Sequence, residues 1–124
     1  VNFHHNTHGT KKFRLLTNSD IFIFTPYGTE GHPWVIVEAI AAGLPIITTD
    51  KGAITESVIN DHNGFIIDEK SSTSISEKVE YLINNENLRS KMGYNSKMIH
   101  KEKFSEEIMI EKYKKLFFKI NKLR

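Results

Sequence analysis

Within nine residues the chain places Glu30, Gly31, His32, Pro33 and Glu38. Pro33 suits the first turn of a helix, where a missing N–H costs nothing. A helix start carries unpaired N–H groups and a partial positive charge, and so attracts an anion such as a diphosphate. Gly31 lets the backbone there come close to a ligand. Glu30 and Glu38 are eight residues apart, about 80° round a helix at ~100° per residue. Both carboxylates are then expected to face one cleft, where they can accept hydrogen bonds from sugar hydroxyls. A helix start for phosphate flanked by carboxylates for hydroxyls reads as a nucleotide-sugar site. Glu38 is the sharper anomaly, because it is the only charge between Trp34 and Thr49. A carboxylate buried without partners is costly. Either it serves a ligand, or it lies at a helix edge, solvated or paired with a lysine.

The elements that must hold these residues follow from pattern. Val1–His5 reads as a short strand and Thr10–Thr17 as an amphipathic helix. Ile21–Phe24 is a continuous apolar run, which fits a strand buried on both faces of a parallel sheet. Pro33–Ala42 is apolar on nearly every side and predicts a buried helix. Gly43 is suited to end it, and Pro45 prevents its continuation. Pro45–Thr49 predicts a strand, Ala53–Val58 a short helix and Phe65–Ile67 a last strand. From Ser71 the pattern is helical, broken at Asn84–Asn87. A terminal helix starts near Ser105, a suitable N-cap, with Phe104 and Met109 at staple spacing. Its apolar face is Met109, Tyr113, Leu116, Phe117 and Ile120. Strands alternating with helices imply an α/β fold, a Rossmann-like parallel sheet flanked by helices, with further helices at the C-terminus. In such folds ligands bind beyond the carboxyl ends of the strands, which directs attention to the loops after Phe24 and Thr49 and, after them, to the one following His5.

Other residues weigh less. His4, His5 and His8 raise the question of a metal. His4 and His5, however, point to opposite faces of a strand, and no carboxylate cluster follows, so no metal site and no cofactor are expected. At His32 either the ring or only the backbone serves the anion. Lys51 either reaches an anion or is solvated, and Glu56 is expected to cap its short helix. The last helix carries Lys112, Lys114, Lys115, Lys119, Lys122 and Arg124. A basic amphipathic helix can lie on an anionic membrane. Lysines on the outer face of a packed helix are the ordinary alternative.

The chain's 124 residues predict one domain, 1–124. Apolar residues at 39% and charged residues at 26% argue against disorder and fibres. The absence of cysteine excludes disulfides, thiolate metal sites and a cysteine nucleophile. No apolar run approaches the ~20 residues of a spanning helix, and no secretory signal is visible, so a cytoplasmic protein is expected. Residues 1–100 carry net charge −2 and residues 101–124 net +4. A mildly basic tail is not the wide stripe of a nucleic-acid binder.

Asp20–Phe24, then Glu30-Gly31-His32-Pro33-Trp34-Val35-Ile36-Val37-Glu38-Ala39-Ile40-Ala41-Ala42-Gly43-Leu44-Pro45-Ile46-Ile47, resembles the retaining glycosyltransferases of family 4. Asp50–Ile54, Glu56 and Asn63-Gly64-Phe65 extend the resemblance, whose characteristic part spans about residues 19–68. It implies the partial C-terminal, donor-binding domain of a GT-B fold. It further implies transfer of a hexosyl group from a nucleoside diphosphate sugar to a glycan or lipid acceptor. Glu30 matches the glutamate that contacts donor-sugar hydroxyls at the reacting centre, the catalytic position. Glu38 matches the one that holds the ribose. Gly31, His32 and Pro33 match the segment beside the diphosphate. Two departures stand out. Tyr27 follows Pro26 where the family commonly has serine, and Ala53 stands where it often has a second glycine, a harmless change if φ is negative there. The family's diphosphate-neutralising arginine and lysine, and its N-terminal acceptor-binding domain, have no counterpart. The chain also begins without methionine in strand-like sequence. A fragment, inactive by itself, is therefore expected. The rival readings are a non-catalytic nucleotide-binding fragment and a doubly wound interaction domain.

Overall fold

The computed structural model describes residues 1–123; Arg124, the last base expected on the terminal helix, lies outside the described residues. Among the described residues three parallel strands form one sheet, in the order β1 (Phe22–Phe24), β2 (Ile46–Thr49), β3 (Gly64–Ile67). Phe22 is level with Ile46, and Ile46 with Gly64. Around the sheet run α1 (Gly9–Thr17), α2 (Trp34–Ala42), α3 (Ser72–Ile83), α4 (Glu86–Ile99) and α5 (Glu106–Lys122). A short π-helical segment, His100–Phe104, joins α4 to α5.

Side chains alternate across a strand, so β2 feeds two cores. Ile46 joins Leu16, Ile36, Ala39, Ile40, Ile54, Val58 and Ile99 on one face of the sheet. Ile47 joins Phe65, Ile67, Leu82 and Met92 on the other. All four residues of β2 are buried, as its unbroken apolar run requires. Helix α4 contributes Met92 to one core and Ile99 to the other, passing the strands' amino ends. Its Gly93 lies so close to the Gly43 carbonyl that a Cβ would collide with it. Gly43 ends α2 in the left-handed conformation at φ 82°, as its place after the apolar run predicts. The Ser71 side chain caps α3 by accepting from the Ser74 N–H at 3.1 Å, and Ser105 caps α5 through the Ile108 N–H.

Several expectations are corrected. Val1–His5 is no strand: it is irregular and exposed, and it pairs with no neighbour. Extended sequence becomes a strand only where an edge receives its N–H and C=O groups. Strand β1 is an edge rather than a doubly covered strand, with Ile23 44% exposed. Pro33 precedes helix α2 as its N-cap, at extended ψ 120°, and not as its first helical residue. The expected helix at Ala53–Val58 shrinks to one 3-10 turn, Ile54–Glu56. The terminal apolar stripe exists, but Met109, Tyr113, Leu116, Phe117 and Ile120 are each at least 40% exposed, and α5 buries no residue.

Candidate functional site

Because the strands are parallel, the loops after β1 and β2 emerge at the same end of the sheet. They are stitched together by the Thr49 hydroxyl, which donates to the Pro26 carbonyl, and by the Ala53 N–H, which donates to the Gly31 carbonyl at 2.8 Å. Gly52, at φ +54°, sits against the Glu30 and Gly31 carbonyl oxygens. A side chain at 52 would have to occupy the space of that backbone, so this position needs glycine twice over. Ala53 has φ −96°, which any L residue adopts, so the second family glycine is dispensable. The Gly52–Ala53 turn is thus the buttress that sets the height of Glu30 and Gly31 above the start of α2. Gly31 itself is exposed, and a Cβ there would meet nothing.

Glu30 is half-buried, and among the described residues its carboxylate has no hydrogen-bond or ion-pair partner. It lies in the loop, outside the helix that begins at Trp34. The 80° helical arithmetic therefore does not relate it to Glu38; the loop path does. Glu38, on the second turn of α2, is 24% exposed. Its Oε1 accepts from Lys12 Nζ of α1 at 2.5 Å. Glu38 shares the outer face of α2 with the exposed Trp34 and Ala41, while Ile36, Val37, Ala39 and Ile40 are buried. The lysine pairing weighed for Glu38 is real, while among the described residues Oε2 has no partner and is not sealed in.

His32 immediately precedes the N-cap of α2. Its Nε2 is 2.5 Å from the Ser57 hydroxyl, and its ring lies 5.2 Å from that of Phe104, tilted by 44°. Neither partner was foreseen. The one hint of Ser57 is a small polar residue directly before the apolar Val58, and nothing in the sequence marks Phe104 beyond the staple. Lys51 does not face the anion site freely, because its Nζ is paired with Glu69. Glu56 is exposed and its side chain caps nothing; its N–H donates to the Ala53 carbonyl at 3.1 Å and its carbonyl accepts from Lys103 Nζ at 3.4 Å. Tyr27 is exposed, with the Lys70 ammonium 5.4 Å from its ring centre. His4, His5 and His8 lie exposed on the irregular N-terminal segment and at the border of α1. Among the described residues no three His, Asp or Glu side chains gather as metal ligands, and no helix is long and apolar enough to cross a membrane.

A pinned loop and a helix start, with Glu30 before them and Glu38 after, stand at the carboxyl end of a parallel sheet, the end at which α/β folds bind ligands. The glycosyl transferases group 1 family matches residues 1–98, and the chain belongs to that family. It is 34% identical over 110 residues to the capsular polysaccharide biosynthesis glycosyltransferase CapM of Staphylococcus aureus, covering 89% of this chain and 29% of that one. The C-terminal domain of a glycosyl transferase group 1 family protein (LpcC) from Francisella tularensis is similar in structure. Its TM-score is 0.72 at 26% identity, over 86% of this chain and 53% of that one. Anabaena HepE, solved in complex with UDP, gives a TM-score of 0.81 at 21% identity over 86% of this chain and 29% of that one. These likenesses establish the α/β parallel-sheet architecture as part of a GT-B fold. The chain spans less than a third of CapM's length.

Proposed function

We propose that this chain is the nucleotide-sugar-binding part, within the C-terminal domain, of a family 4 glycosyltransferase that transfers a hexosyl group with retention of configuration. The observation that carries the reading is the Glu30–Pro33 loop, pinned by Gly52 and Ala53 at the start of α2. The diphosphate lies against Gly31, His32, Pro33 and the helix start. Glu30 meets the sugar hydroxyls beside the anomeric carbon, and Glu38 holds the ribose through Oε2. HepE, whose structure contains UDP, supports this choice of ligand class.

In transfer, the bond from the anomeric carbon to the diphosphate oxygen breaks, and its electrons stay on the leaving diphosphate. The acceptor oxygen bonds to the same face of the sugar, and its proton passes to the departing diphosphate oxygen. The protein's contribution is fixed electrostatics where that charge develops. A leaving nucleoside diphosphate carries two to three negative charges, whereas a helix start offers about +0.5. With Lys51 committed to Glu69, further cations and the acceptor must be met by the N-terminal acceptor-binding domain and by the rest of the donor domain. The 124-residue chain alone is therefore inactive in this reading. The same proposal includes a cytoplasmic enzyme that touches the membrane peripherally; support comes from α5, where five lysines from Lys112 to Lys122 accompany the uncovered apolar stripe.

The test is a calorimetric panel of uridine, guanosine and adenosine diphosphates on the full polypeptide. A transfer assay with labelled donors and nuclear magnetic resonance of the product's anomeric configuration complete it. Binding of one diphosphate and a retained anomer are expected. A folded protein that binds none of the three refutes the site, an inverted product refutes retention, and multiple turnovers by the isolated chain refute the division of labour.

A further inference from the structure

The hydrogen-bond inventory round His32 constrains its proton. Ser57 is fully buried, and among the described residues its hydroxyl has a single partner, His32 Nε2. If Nε2–H donated to Ser57 Oγ, the hydroxyl hydrogen would be sealed in without an acceptor, a costly arrangement. The hydroxyl therefore donates, and Nε2 accepts. A neutral imidazole that accepts at one nitrogen carries its proton on the other. His32 is then the Nδ1–H tautomer. Among the described residues Nδ1 has no hydrogen-bond partner, and it is not a sealed-in polar atom, so its N–H is left for an acceptor outside the fold.

The surroundings fix the geometry of this pair. The Ser57 N–H is bonded to the Ile54 carbonyl at 2.9 Å. Its carbonyl accepts from Asn63 Nδ2 at 3.0 Å. Asn63 is itself buried and also binds the Ile59 N–H at 2.8 Å and Ser96 Oγ at 3.3 Å. Phe104 closes one face of the imidazole. The ring is thus held at one edge by Ser57 and on one face by Phe104.

We infer that Ser57 is a positioning residue that fixes His32 as its Nδ1–H tautomer, so that the ring donates a hydrogen bond to a phosphate oxygen of the bound diphosphate. This rests on the donor-site reading proposed above for its ligand, but not for its tautomer. Ser57 does not touch the substrate; it acts through His32.

The experiment uses the full polypeptide with 15N-labelled histidine, His32 being assigned by its loss in His32→Gln. Nitrogen shifts and two-bond couplings should report the Nδ1–H tautomer without ligand, and uridine diphosphate or inorganic pyrophosphate should shift the Nδ1 signal. Ser57→Ala should mix the tautomers and raise the Kd for uridine diphosphate about three- to tenfold, the range of one neutral hydrogen bond. Ser57→Thr, which keeps the hydroxyl, should restore both. An Nε2–H tautomer in the wild type overturns the inference whatever the variants do. So does uridine diphosphate that binds by calorimetry yet leaves the His32 signals unmoved. If neither probe binds, the donor-site reading falls and takes the phosphate contact with it, while the tautomer stands or falls on the ligand-free spectrum.

Discussion

Replacing Gly52 by alanine should damage the site through backbone alone. At φ +54°, an L side chain costs about 1–2 kcal/mol in the left-handed region. The added Cβ would lie 2.8 Å from the Glu30 carbonyl carbon and closer still to the Glu30 and Gly31 oxygens. Carbon contacts rest at about 3.5–4.0 Å, so the two loops must part by about 1 Å. The obstacle is backbone, which cannot swing aside as a flexible side chain can, and overpacking of this kind adds about 1–3 kcal/mol. The bond from the Ala53 N–H to the Gly31 carbonyl is stretched with it. A total loss of roughly 2–5 kcal/mol of stability is expected. A misplacement of about 1 Å at a reacting group is worth about a hundredfold in rate. The assay is denaturant unfolding of the full polypeptide beside kcat/KM for the donor. Ala53→Gly is the control: at φ −96° it should cost no more than about 1 kcal/mol and leave the rate nearly intact. Gly52→Ala with wild-type stability and rate would refute the buttress.

Glu38→Gln should weaken nucleoside diphosphate binding by ~1.5–3 kcal/mol, the range for hydrogen bonds to a charged group, with unchanged calorimetric affinity counting against the ribose role. Because the Lys12–Glu38 pair is partly exposed, the same variant should shift unfolding by no more than about 1 kcal/mol. Glu30→Ala should cut the transfer rate while uridine diphosphate, which lacks the sugar, binds almost as before; equal losses in both would show the role to be misassigned. On α5, Glu107 is held below the ordinary carboxylate value by its backbone hydrogen bond and by the Ser105 hydroxyl, and Glu111 by its hydrogen bond to Lys115. Depressed folded values stabilise the helix above the unfolded value of 4.5 and lose that contribution as pH falls through the folded ones. Amide protection in α5, taken relative to the intrinsic exchange rate at each pH, should therefore fall in acid, whereas Glu107→Gln/Glu111→Gln should remove most of that dependence.

The elements that position the site were largely legible in the chain, because their signals are local. An apolar run ended by Gly43 and Pro45 specifies where α2 stops and β2 begins, since left-handed φ and a missing N–H are properties of single residues. Ser71 and Ser105 mark helix starts for the same reason: a side chain and an N–H three residues away suffice. Glu30 and Glu38 stood out by composition and by their family setting. What stayed hidden depends on residues far apart in sequence. Whether Val1–His5 becomes a strand depends on an edge to receive it, and β1 is half-exposed because only β2 pairs with it. The apolar stripe of α5 was readable, but whether anything covers it was not.

Within the site, amino-acid types and spacing determined which groups are available: two carboxylates, a helix start, a glycine and a histidine. Tertiary structure decided their partners. Lys12 comes to Glu38 across 26 positions, Ser57 to His32 across 25 and Glu69 to Lys51 across 18. It also decided that Glu30 stands in a loop held by Gly52, and not on the helix face that spacing alone suggested. The physical reason is range. Backbone preferences and periodicity act over a few residues, whereas a side chain's hydrogen-bond partner is whatever the packed helices and loops bring within about 3 Å.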